Sequence, residues 1–193
     1  MSKEILNKTL QDKILRFIKN NVKNLTILSI FLTLILFAYF FYNDAQKKNE
    51  IKLSEQYTLS TIQFKEKKID ESKKLLENII NKSHKFYSPL ALYFIIDNNL
   101  ETDSSKIINF FDKILSINSI DQENIDLIKI KKAIFLFSLG NEELIIKTLN
   151  PIINSESIWR NMAIKLVSDY FLSKDQKIKA NEYIQLLNNK IEK

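Results

Sequence analysis

Cysteine is absent from the 193 residues, glycine occurs once (Gly140), proline twice (Pro89 and Pro151), histidine once (His84) and tryptophan once (Trp159). Without Cys there is no disulfide and no thiol chemistry, and the redox compartment leaves no mark. One Gly excludes a phosphate-cradling loop and a dinucleotide fingerprint. So few Gly and Pro leave no room for hairpins with primed turns or for a many-stranded sandwich. His84, in NKSHKF between two Lys, has no Cys to complete a zinc site and reads as a solvated turn residue. Glu142 and Glu143 sit at an expected helix start, where the helix dipole accounts for them. No nucleophile has a base at a recognised spacing. The sequence therefore predicts no catalytic residue, no cofactor, no metal and no enzyme.

What the chain does have is Leu25 to Tyr42, LTILSIFLTLILFAYFFY, without charge, Gly or Pro. As a helix rising about 1.5 Å per residue it reaches roughly 27 Å, close to the hydrocarbon thickness of a bilayer. The alternative is a buried helix of a soluble protein. This stretch also divides the charge. Residues 1–24 carry six basic side chains (Lys3, Lys8, Lys13, Arg16, Lys19, Lys23) against Glu4 and Asp12, so +4 of the formal +6 lies there. The remainder is close to neutral, which removes the support that a pI near 9.2 lends to nucleic-acid binding.

Ile5, Leu6, Leu10, Ile14, Phe17, Ile18 and Val22 recur at three- and four-residue intervals among those Lys residues. An amphipathic helix over 1–24 follows, able to lie on an anionic membrane face or to meet a partner. Six basic residues precede the apolar stretch, against Lys47, Lys48 and Lys52 in the fifteen residues after it. The positive-inside rule places the amino terminus in the cytoplasm. The exit FFYNDAQKK lacks the small residues of a cleavage site, so the stretch reads as an uncleaved signal anchor. In a bacterium with two membranes the following domain is periplasmic.

The expected layout is a basic tail over 1–24, a transmembrane anchor over 25–42, a polar neck over 43–50 and a helical domain over 51–193. In that domain eight helices are predicted: 50–67, 70–82, 86–98, 103–117, 121–139, 142–154, 157–173 and 176–191. Gly140 supplies a left-handed turn, Asn141 opens the next helix, Pro151 marks a helix stop and Ser157 caps the helix after it. In alternate helices a residue is followed four and seven positions later by apolar ones: Ser72, Leu76, Ile79; Ile107, Phe111, Ile114; Ile145, Leu149, Ile152; Ala180, Ile184, Leu187. The first members are 35, 38 and 35 residues apart, near the 34 of tetratricopeptide repeats. The other helix of each pair carries a small residue three before an apolar one: Thr61 and Phe64, Ala91 and Phe94, Ala133 and Leu136, Ser168 and Phe171. Lys129 and Lys132 depart from the pattern, and the turn IDNNLETDSS is about four residues too long. An ordinary helical bundle is the alternative architecture.

A basic amphipathic amino terminus, one signal anchor, a polar neck and degenerate tetratricopeptide units resemble the membrane-anchored family of the ancillary SecYEG translocon subunit. The most specific part is TLNPIINSESIWRNMAIKLVSDYFLSKDQKIKANEYIQLL, similar to the family's Leu-x-Pro, Trp-Arg and terminal repeat. The resemblance implies an all-α protein of the bacterial inner membrane, with about four helix pairs in a periplasmic α-solenoid. It implies contacts with SecYEG and periplasmic chaperones in handling exported proteins. A structural scaffold in envelope assembly or cell division is the alternative, and self-association stays open. Trp159 and Arg160 read either as a binding hot spot or as a packed fold marker. Counting from the small residues, a groove is expected from Leu92 and Ile95, then Ile130, Ile134 and Phe137, then Lys165, Asp169 and Leu172, covered either by a partner segment or by the chain's own helices.

Overall fold

The computed structural model describes Lys13 and residues 15–188. The expected amphipathic helix over 1–24 falls mostly outside these residues; residues 15–20 are helical, with Phe17 and Ile18 exposed. The described residues are helical with turns and contain no strand. The helices are α1 Val22–Lys65, α2 Ile69–Asn81, α3 Tyr87–Asp97, α4 Ser104–Leu115, α5 Gln122–Leu139, α6 Glu142–Ile153, α7 Arg160–Ser173 and α8 Lys177–Gln185. The chain divides into two compact units between Lys52 and Leu53.

In the first unit the apolar stretch is helical and none of its apolar window is buried. A core helix would have closed these side chains away, so the buried-helix alternative fails. Length and composition are compatible with a single-pass membrane anchor. The polar neck is not a break: 43–50 continues the 44-residue helix α1. NDAQKKNE contains no Gly or Pro, and Asp44 pairs with Lys48 one turn on at 2.8 Å.

In the second unit successive helices from α2 to α8 pack on one another, and α5 also meets α7. Helix ends coincide with residues that satisfy orphan backbone groups. The Asp103 carboxylate accepts from the Ser105 and Lys106 N–H groups, Asp121 from Asn124, and Asn141 from Leu144. His84 Nδ1 accepts from the Phe86 and Tyr87 N–H groups at 3.2 Å, making the lone His a helix-entry acceptor. Pro151 does not stop α6, which runs on to Ile153. Ser157 is not the residue adjoining α7 either: its hydroxyl accepts from the Trp159 N–H at 3.2 Å, and the helix begins at Arg160.

One turn geometry recurs after α1, α3, α5 and α7. Each carries a residue of positive φ: Lys67 (63°), Asn99 (51°), Gly140 (68°) and Asp175 (58°). Beyond it an N–H reaches back to a carbonyl five residues earlier: Lys68 to Gln63, Leu100 to Ile95, Asn141 to Leu136, Gln176 to Phe171. This is the Schellman closure, here repeated four times. Three positions before each acceptor lie Ser60, Leu92, Ala133 and Ser168, all buried at 0 % exposure.

Those four residues fix the register of the first helices, and they correct the expected one. Ser60 takes the buried place, while Thr61 is only half-buried. On α3 the matching position is Leu92 rather than its neighbour Ala91. One residue is about 100° of rotation on a helix, enough to exchange a buried face for a flank.

Two apolar cores result. Leu53, Leu76, Ile79, Leu92, Ile95, Phe111 and Ile114 belong to one, and Ile130, Leu136, Ile145, Leu149, Ile164 and Phe171 to the other. Helix α5 serves both, with Ile128 in the first and Ile130 in the second. The two lysines that interrupt its pattern each have an acid. Lys132, buried, pairs with Asp112 of α4, and Lys129 with the buried Asp126 at 3.5 Å.

Candidate partner-binding surface

The first helices of the pairs lie side by side. Tyr57 and Phe64 of α1 meet Phe94 of α3 edge-on at 6.2 and 5.3 Å, and Phe137 of α5 meets Tyr170 of α7 at 5.3 Å. Lys131 of α5 stands over the Tyr93 ring of α3 at 5.6 Å. A face shared by these helices therefore runs across several pairs.

The expected groove residues divide on this face. Leu92, Ile95 and Ile130 are closed inside the cores and cannot line an open groove. Phe137 is half-buried against the second core. Ile134 is 44 % exposed, Leu172 is 51 % exposed, and Lys165 and Asp169 are on the surface. Because the turns define equivalent positions, Tyr93, Ile134 and Asp169 occupy the same place, two residues before the Schellman acceptor. Nine before it lie Phe86, Leu127 and Met162; five before it lie Leu90, Lys131 and Leu166. The accessible strip is thus Phe86, Leu90 and Tyr93 on α3 and its entry, Leu127 and Ile134 on α5, and Met162 and Leu166 on α7. The spacing in the sequence identified Ile134 and missed the α3 members, whose signal is visible only once Asn99 is known to be left-handed.

Between α3 and α5 the strip deepens into a cleft of about 320 Å³. Phe86, Pro89, Leu90, Tyr93, Ile120, Leu127 and Ile128 form its apolar lining, and Lys85, Ser119, Asp121 and Asn124 its polar part. Burial pushes the Tyr93 phenol up to about 12. Phe86, 60 % exposed at the rim, is held edge-on against Tyr87 at 5.1 Å.

Trp159 and Arg160 lie elsewhere in the architecture. Trp159 packs half-buried on the second core. Arg160 donates from Nε to the Ile153 carbonyl at 3.0 Å and from an Nη to the Leu186 carbonyl at 2.8 Å. It thereby serves carbonyls at the ends of α6 and α8, a structural role that matches the fold-marker reading.

A second polar cluster fixes the long turn. Glu101 accepts from the Thr102 and Asp103 N–H groups at 2.9 and 3.1 Å and pairs with Lys73 at 3.0 Å and Lys106 at 3.1 Å; Lys106 also meets Glu77 at 2.7 Å. The Asp103 N–H, followed by Lys73, holds the Glu101 carboxyl well below its usual range, at about 2. The extra residues of IDNNLETDSS thus tie the turn to α2. Among the described residues no group of three or more His, Cys, Asp or Glu could hold a metal ion. No family model, curated protein or solved structure matches the chain.

Proposed function

We propose that this chain is a membrane-tethered protein-binding module, a tetratricopeptide-like array of four helix pairs displayed outside the bacterial inner membrane. The observation that carries the reading is the accessible apolar strip running over α3, α5 and α7 in one turn-defined register. Exposed apolar surface of this kind marks contact with other molecules. Its chemistry is recognition: the strip carries large side chains and scattered single charges. The recurrence of the Schellman turn after alternate helices, the ring contacts of α1 with α3 and of α5 with α7, and the packing of α5 on α7 support a repeat array over a bundle.

Helix α8 is more polar on its outer face than its counterparts. In α2, α4 and α6 the residues eight and one positions after the first pattern member are Ile80 and Lys73, Leu115 and Ile108, Ile153 and Ile146. At the last helix they are Asn188, in the turn after α8, and Asn181, both exposed.

The excess of Lys and Arg before the apolar stretch supports a cytoplasmic amino terminus and a periplasmic array. The family resemblance points to SecYEG and periplasmic chaperones as partners in handling exported proteins, and no catalytic role is assigned. In-cell photo-crosslinking from Phe86 and Ile134, with mass spectrometry of the products, tests this. Translocon or chaperone components among the products are expected. Septal or envelope-assembly proteins in their place would move the chain to a scaffold role, and no product from either position would remove the binding role.

A further inference from the structure

We infer that the cleft between α3 and α5 takes a peptide segment in which large apolar side chains are flanked by carboxylates; this rests on the protein-binding reading above. The apolar lining asks for an apolar occupant, and its volume of about 320 Å³ is at the small end for a ligand pocket, so few side chains enter.

The polar groups decide the flanks. Asp121, the acid in the lining, keeps its charge because the groups that meet it are neutral: its two oxygens accept from the Asn124 N–H at 3.0 Å and the Asn124 side-chain amide at 2.7 Å. Against that one carboxylate stand two ammonium groups. Lys85 lines the cleft, and Lys131 stands 5.6 Å from the centre of the Tyr93 ring. Neither makes an ion pair among the described residues. Asp97 lies a turn beyond Tyr93, on the flank that faces Tyr57 of α1. Two ammonium groups against one hydrogen-bonded carboxylate leave the cleft net positive, which favours an acidic segment over a basic one. Lys131 above the Tyr93 ring adds a cation–π contact that keeps its ammonium beside a lining residue without neutralising it.

The test uses the full chain in lipid nanodiscs and fluorescence anisotropy of a labelled peptide carrying a Leu-Phe pair between glutamates. Binding is expected to weaken at least about tenfold when the glutamates become lysines, and again when Leu-Phe becomes Ser-Ser. The surface variant Lys85→Glu with Lys131→Glu should lose the acidic peptide by a similar factor while its thermal unfolding is unchanged. Equal binding of the lysine peptide, or a double variant that binds the acidic peptide undiminished, overturns the inference. So does a concentration-dependent dimer, seen by sedimentation, that Leu127→Glu dissolves, because a second copy would then fill the cleft. Cellular crosslinks from Phe86 that land on basic segments would remove this inference and leave the binding module standing; the absence of crosslinks would remove both.

Discussion

Lys67, Asn99 and Asp175 hold a left-handed backbone that costs an L-residue about 1–2 kcal/mol, least for Asn, whereas Gly140 adopts it freely. Asp175→Gly and Lys67→Gly should each raise stability by about 1 kcal/mol in chemical denaturation. Gly140→Ala should lower it by about the same amount. A Cβ there would meet only the Lys174 ammonium at an ordinary 3.7 Å, so the loss comes from φ rather than from a clash. Glu101 shows the same economy at a turn. Its pKa is lower folded than unfolded, so its contribution is fully present above the ordinary Glu value of 4.5 and is lost as pH falls from there to about 2. Glu101→Gln should cost about 2 kcal/mol at neutral pH and flatten the acid limb of the stability curve across that window. Equilibrium unfolding of both proteins between pH 7 and pH 2 checks it. Gly140 announced its turn in the sequence because only Gly adopts αL without cost. Lys67 and Asp175 did not, since nothing in a Lys or Asp marks a helix end that the surrounding packing forces into the left-handed region.

At the scale of helices, burial follows neighbours more than side-chain type. Leu149 in α6 and Ile184 in α8 are the same member of the four-and-seven pattern, yet Leu149 is fully buried and Ile184 is 39 % exposed. Leu149→Ala should therefore cost about 2–5 kcal/mol, and Ile184→Ala clearly less, about 1 kcal/mol. Urea unfolding of the two variants reads the difference. The second helices were legible because their apolar residues gather on one side: Ser72, Leu76 and Ile79, then Ile107, Phe111 and Ile114, then Ile145, Leu149 and Ile152 are all buried. The first helices were not, because they pack on both sides. Ala91 and Leu92 are both buried, so composition cannot choose between registers that differ by one residue. That ambiguity carried Leu92 and Ile95 into the expected groove, and it hid Leu90 and Tyr93. Lys132 misled in the same way, since its buried stem and ion pair to Asp112 mimic an apolar position.

For the molecule as a whole, the apolar part of α1 and the strip over α3, α5 and α7 are surfaces that water alone does not satisfy. A bilayer suits the first. Leu32→Arg combined with Ile35→Arg places two charges near the middle of the span, each costing about 2.5–3.5 kcal/mol to insert, and should move the chain out of the membrane fraction. Unchanged membrane association on fractionation would contradict the anchor. A protein partner suits the second, and Ile134 is its best probe because its partial exposure separates binding from folding. The decisive measurement is partner capture by full-length Ile134→Glu against the natural chain, from cells in which both are crosslinked, with thermal unfolding followed in parallel. The binding-module account predicts that capture is lost at an unchanged unfolding temperature. Undiminished capture by a stably folded Ile134→Glu would contradict it.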